Sequence, residues 1–358
     1  MTALRFALVA FLSASLAFPP YMVPALFAHT PPPVGDGLWV ASEDALFKFA
    51  IDDGRKLAQP RNTKNRLRLA VDPSRKTLWA YGSSKLFAYN DNGQQLLSAS
   101  VPAPNSNSRK DAALAVNSTD GTVWLAIKKS LHHFSLQGQR IKTVQLSNDV
   151  VGLSFDPVTG KVWVATKSAV RPYDNQSVAG AALALGSNPQ VKAIAVDRGN
   201  GAVWVALSNS LRLFSSNGAQ LFQRSVNGIA QLVDDGAHGV WAAKEHTLHR
   251  YSPTLQPLLT VELDDDDDDD IVALAGDALD QSVWVAGEES IVHIAADGRI
   301  LLRIPSKKGG HSNHGDDDDD ELEDINDIAL MRQAQGNRGP VANPDSAITA
   351  VNRSEEHT

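Results

Sequence analysis

This sequence predicts an all-β fold, a seven-bladed β-propeller, and three observations carry that prediction. Each of the seven tryptophans sits in a short apolar phrase of the type Val162-Trp163-Val164-Ala165. Trp39, Trp79, Trp124, Trp163, Trp204, Trp241 and Trp284 follow one another at 40, 45, 39, 41, 37 and 43 residues, a period that marks a repeat architecture. Around each phrase lie other short runs of strand character, and the incomplete first and last repeats complement each other.

In chain order, Arg5 precedes the apolar run from Phe6 to Phe18, and Ser15-Leu16-Ala17 offers a small-x-small cleavage site, with Ala28 as a second. This reads as a secretory signal and leader over 1–28, and it predicts export to the periplasm, the cell surface or the medium. Pro19, Pro20 and Pro24 interrupt the run before it reaches the length needed to cross a bilayer. No membrane span is therefore expected after signal removal.

The repeats follow. Around Trp163 the four runs are VGLSFDP at 151–157, VWVAT at 162–166, AVRPYD at 169–174 and VAGAALAL at 178–185. The first recurs as LRLAVDP at 67, AALAVNS at 112, KAIAVDR at 192, AQLVDDG at 230 and VALAGDA at 272. The third recurs as LFKFA, LFAYN, LHHFS, LRLFS, LHRYS and IVHIA. Short strands bounded by turn residues indicate a meander. Asp53-Gly54, Asn92-Gly93, Asn217-Gly218 and Asp297-Gly298 fall between third and fourth runs, where a tight hairpin needs residues tolerant of positive φ. Asp72-Pro73, Asp156-Pro157 and Asn200-Gly201 fall between first and second runs and read as turn formers.

The second run is apolar at nearly every position, which suits a strand packed on both faces. Its tryptophan is expected to fill the wedge between adjacent blades, as core and not as a ligand-stacking row. The first repeat begins directly at Leu38 and lacks an initial run, while INDIALM at 325–331 is an orphan after the last. Joining them gives a one-plus-three strand closure over 37–333 and leaves no exposed sheet edge at the seam.

With LAVDP, LWA and LFAYNDNG at 69–93, the repeats resemble those of NHL-type and YncE-like seven-bladed propellers. That resemblance implies that the LAVDP-type strand is innermost and lines a central channel. It leaves function open, because this fold hosts lyases, lactonases, scaffolds and receptors. Beyond 333 the composition turns polar, and Pro340 to Ala350 resembles the opening of bacterial cadherin-like or Ig-like repeats, so 334–352 is expected to be a linker and the start of such a domain. Arg353 to Thr358 reads as a translated sequencing adapter.

Absence of cysteine excludes disulfides, thiolate metal sites and cysteine nucleophiles. The net charge of −8 is carried by two runs, Asp264 to Asp270 and Asp316 to Asp324 with their glutamates. Without those fifteen acids the remaining 26 face 33 Lys and Arg, a balance of +7. Nucleic acid is not expected as a partner, since the basic residues lack interleaved aromatics and the chain is read as exported.

In the propeller frame the loops entering the inner strands carry Arg61, Lys64, Arg66 and Arg68 on one blade and Arg109 and Lys110 on the next, the expected ligand face for a protein or glycan on a monomeric ring. The acidic runs read first as solvated, self-repelling chain, and second as calcium ligands through Asp264, Asp266, Asp268, Asp316, Asp318 and Asp320, although the spacing of a defined calcium loop is missing. No other cofactor is expected. His311 and His314 read as loop residues, and His132, His133, His249 and His293, on third strands, as partly exposed sheet positions.

Propeller lyases of similar repeat depend on a channel-mouth histidine and a metal-binding glutamate, and neither position is matched here. No catalytic residue is therefore assigned. A non-catalytic exported binding or presentation module is the preferred reading, and a channel-mouth lyase or hydrolase the alternative.

Overall fold

A computed structural model of the chain describes residues 36–43, 45–60, 67–101, 112–263, 270–287, 290–305, 322 and 324–332. All lie in one compact unit, Pro33–Thr358. The described residues form strands and turns without a helix, so none of their segments is a helix long and apolar enough to cross a membrane.

The strands assemble as seven small antiparallel sheets, the blades of a seven-bladed propeller. Blade one is closed as the sequence predicts: Asp327–Met331 pairs with Gly37–Ala41, matching Trp39 to Ala329 and Val40 to Ile328. The other inner strands, in blade order, are Arg68–Asp72, Ala112–Val116, Val150–Asp156, Val191–Val196, Gln231–Asp234 and Ala273–Gly276. Each touches the next, and Asp327–Met331 touches both Ala273–Gly276 and Arg68–Asp72, so the ring is complete.

The tryptophans lie where the repeat places them, on the second strands and almost fully buried. Each packs against the following blade. Trp39 meets Leu67 and Leu78, Trp163 meets Val191 and Val203, and Trp284 closes the circle on Leu38 and Phe47. An indole of roughly 200 Å² contributes roughly 5 kcal/mol in such a wedge by area. The third-to-fourth hairpins match their turn chemistry: Gly54, Gly93, Gly218 and Gly298 all hold φ between 70° and 88°.

Two expectations need correction. The run 178–185 is not a strand; blade four has three strands, Val150–Asp156, Lys161–Thr166 and Ala169–Tyr173. Its third strand carries Pro172, whose carbonyl faces the 178–185 segment and accepts from Gly180 N–H at 2.8 Å. The N–H that proline lacks would point to that same edge, so a full ladder cannot form there. The segment instead drops Leu183 and Leu185 into the core.

The third-strand histidines are also more enclosed than expected. His132, His133 and His293 are buried, and only His249 is half-buried. The residue paired with each tryptophan on the third strand lies under the same neighbouring blade. His133 stacks on Trp124 with ring centroids 4.0 Å apart, and His293 stacks on Trp284 at 4.1 Å. Lys48 and Arg250 hold the same position over Trp39 and Trp241.

Candidate functional site at the channel mouth

The axis of the ring encloses a cavity of about 510 Å³. Its wall draws on all seven inner strands, through Val71, Val116, Leu153, Ile194, Leu232, Leu274 and Ile328. Consecutive residues such as Leu153, Ser154 and Phe155 line it together, so the wall is the free edge of each inner strand, not one of its faces. Some of the N–H groups on those edges are met by the neighbouring blade: Ser154 Oγ accepts from Val196 at 3.1 Å and Asp327 Oδ2 from Leu69 at 2.8 Å. These bonds stitch adjacent blades near the axis.

At one end the lining continues into the turns that join first and second strands, through Pro73, Ser118, Pro157, Arg198 and Leu279. There the inner strands end in side chains that hold the turn. Oδ1 accepts backbone N–H bonds at 2.9 Å from Val158 to Asp156, at 2.8 Å from Gly199 to Asp197, and at 3.0 Å from Leu279 to Asp277. Asn117 does the same for Thr119 at 2.9 Å. The turn-former reading of Asp156 is correct, and Asn117, Asp197 and Asp277 play the same part in their own blades.

Blade six departs from the pattern because its inner strand runs into two aspartates, Asp234 and Asp235. Asp235 takes the turn role, accepting from Ala237 at 2.8 Å and pairing with Arg250 at 2.8 Å. Asp234 is left over as the last residue of the inner strand. Its Oδ2 accepts the Arg198 N–H at 3.5 Å and lies 3.9 Å from Arg198 Nε, while its buried Oδ1 has no hydrogen-bond partner among the described residues. Burial lifts the Asp234 carboxyl to about 6, against the opposing pull of Arg198.

Beside it stands an aspartate–histidine pair. His238 Nδ1 lies 2.9 Å from the Asp197 carboxylate and 3.1 Å from Asn200 Nδ2. A carboxylate only accepts, so the pairing with Asp197 puts the proton on Nδ1, and the Asn200 amide nitrogen, itself a donor, is then a neighbour and not a hydrogen-bond partner. The hydrogen bond to Asp197 raises the imidazole above its ordinary value. His238 has φ of 67°, and its ring lies against Gly199, where a Cβ would come within 2.8 Å of Cε1.

Across the opening, Arg332 clamps the seam. It donates to Asp277, reaches Asp36 at 3.3 Å and Asp280 at 3.5 Å, and so joins the end of the closing strand to its start and to blade seven. Burial raises the Asp277 carboxyl while Arg332 pulls it down.

Of the basic ligand-face residues expected from sequence, Arg68 is described. It caps the opposite end of the channel, with Nη1 donating to Asn326 O at 2.7 Å beside Asp327, whose carboxyl burial raises. Arg61, Lys64, Arg66, Arg109 and Lys110 lie outside the described residues, as do Asp264, Asp266, Asp268, Asp316, Asp318, Asp320, His311 and His314. Among the described residues no three side chains gather to hold a metal ion. Sequence reasoning missed Asp234, Arg198, His238 and Arg332; the doubled aspartate in AQLVDDG was the one visible signal.

The class this geometry defines is the seven-bladed β-propeller, and solved structures share it. Virginiamycin B lyase from Staphylococcus aureus aligns with a TM-score of 0.57 at 14% identity, over 69% of this chain and 87% of that one. A catalytically inactive variant of that lyase with quinupristin aligns at 0.56 and 13%, over 68% and 86%. A functionally unknown protein from Desulfotomaculum acetoxidans aligns at 0.63 and 15%, over 84% and 99%. No protein-family model and no curated protein matches the chain. At these identities the likeness speaks to the fold.

Proposed function

We propose that this chain is a non-catalytic, exported binding or presentation module that seats its ligand in the central channel. One observation carries this reading: an aliphatic cavity of about 510 Å³, built from all seven inner strands and rimmed by a few charged groups at one end. That volume and that mix of apolar wall and sparse polar groups are those of a small-molecule site. The turn-end carboxylates of blades four, five and seven are engaged in holding turns, which supports a scaffold role for them. Export rests on the apolar run after Arg5. Arraying the purified chain against peptides and glycans, beside a Leu274→Trp variant that fills the channel, tests the binding role. Ligands captured by the parent and lost by the variant are expected; identical profiles would refute the channel as the seat. Fractionation of cells expressing the full sequence tests export, and retention in the cytoplasm would refute it.

One feature favours the alternative of a channel-mouth lyase or hydrolase. The Asp197–His238 pair fixes an imidazole with Nε2 turned away from its carboxylate, the arrangement of a general base. Incubation with quinupristin, the compound bound to the inactive Staphylococcus lyase, followed by mass spectrometry is the direct test. Cleavage that disappears in His238→Ala would establish the enzyme reading; intact quinupristin would remove this substrate from it.

A further inference from the structure

The charges at the turn-end mouth are layered. Its carboxylates are sunk, with side-chain exposures of 2% for Asp197, 3% for Asp234 and 1% for Asp277. Its basic groups stand outward: Arg198 is 56% exposed, and His238, a cation when protonated, is 53% exposed beside it. A ligand entering the channel therefore meets positive groups first.

Arg198 has donors to spare, and His238 gains one at Nε2 when its ring is protonated. The one ion pair of Arg198 among the described residues runs through Nε at 3.9 Å, which leaves Nη1 and Nη2 uncommitted to it. His238 spends Nδ1 on Asp197 and turns Nε2 away. They are also neighbours, because the imidazole rests on Gly199, the residue after Arg198. Arg332, on the far side, is held by Asp36, Asp277 and Asp280. Asp197 and Asp234 orient the cations from below, as a carboxylate behind a histidine fixes its tautomer.

We infer that this mouth binds a small organic carboxylate with a single apolar chain, the chain lying in the aliphatic channel and the carboxylate accepting hydrogen bonds from Arg198 and from the protonated form of His238 beside it. The inference rests on the channel being the ligand seat. Charge complementarity selects the occupant: an ammonium head group would face the Arg198 guanidinium, and a neutral hydroxyl would forgo the charge-assisted bonds that a carboxylate makes with it.

Titration calorimetry with octanoate, 1-octanol and octylammonium separates the possibilities. The proteins are the parent chain, an Arg198→Gln/His238→Gln double variant, and two channel-filling variants, Leu274→Trp and Leu153→Trp, on different blades so that at least one keeps the fold. Near-UV circular dichroism checks folding. Octanoate is expected to bind one per chain, about tenfold more tightly than the other two probes, the double variant to erase that preference, and a folded channel-filling variant to bind none of them. Equal binding of octanoate and 1-octanol, blocked by the tryptophan variants, would overturn the carboxylate seat and leave the channel as a ligand site. Octanoate binding that survives a folded channel-filling variant would overturn both, and so would the absence of binding by all three probes.

Discussion

His293 makes the ring acid-sensitive over a defined window. Its ring is 7% exposed, stacked 4.1 Å from Trp284 at an interplanar angle of 4°, with Nε2 2.8 Å from Ser282 Oγ. Burial lowers its pKa from 6.5 to about 4; Asp280 opposes that shift and Arg332 adds to it. As pH falls below 6.5 the unfolded chain takes up a proton that the folded chain refuses, so stability drops until about pH 4, where the folded form protonates as well. The full loss, at ~1.4 kcal/mol per pKa unit, is about 3 kcal/mol, of which about 2 kcal/mol has gone by pH 5. Urea unfolding followed by tryptophan fluorescence, from pH 8 to pH 4, measures it. His293→Phe keeps an aromatic ring on Trp284 and removes the titration, so the gap between parent and variant should change by about 2 kcal/mol from pH 8 to pH 5. His132, His133 and His249 are lowered in the same sense, but they are common to both proteins and cancel. Parallel stability curves across that window would refute the reasoning.

Asp234 predicts the opposite pH dependence. Because burial lifts it to about 6, the folded chain binds its proton first, and Asp234→Asn should stabilise the ring by about 3 kcal/mol at pH 8 and by little at pH 4; an unchanged urea midpoint at pH 8 would count against the orphaned Oδ1. Arg332→Ala removes the cation against which Asp277 is buried and should cost about 3 kcal/mol at neutral pH, with the deficit shrinking in acid as Asp277 protonates. Trp163→Ala should cost about 3–5 kcal/mol in urea unfolding, since this indole is 3% exposed against blade five. Calcium binding by the acidic runs predicts a melting temperature that rises with added calcium, and an unchanged temperature would remove that role.

The fold was largely legible because its determinants are local and periodic. Seven Val-Trp-like phrases count the blades, and the orphan strand ending at Met331 pairs with Gly37–Ala41 because blade one alone lacks an inner strand. The mouth was less legible because its chemistry is not local. Asp234 and Asp277 stand at the ends of two inner strands of the repeat, but only the ring brings them around one opening with Arg198 and Arg332. Once there, the buried Asp234 and Asp277 become electrostatic supports for Arg198 and Arg332. His238 belongs to no motif, and its role follows from a contact with Asp197, 41 residues away in sequence.

The position opposite each tryptophan shows how one site in the repeat controls both packing and shape. Lys48, Ala88, His133, Pro172, Leu213, Arg250 and His293 occupy it in chain order. Flat or cationic partners sit on the indole face, where a ring quadrupole attracts a cation or stacks an imidazole. Arg250 and His293 meet Asp235 and Ser282 within their own blades, whereas Lys48 reaches Asp91, His133 reaches Ser177 and Arg250 reaches Ala296 under the neighbouring blade. Those contacts latch one blade to the next where a leucine or alanine only fills space. Proline at the same site trades the outer ladder of blade four for a loose segment carrying Leu183 and Leu185 inward. Variation at this one position thus selects between latching adjacent blades and dropping a strand, while the tryptophan beside it keeps the wedge filled.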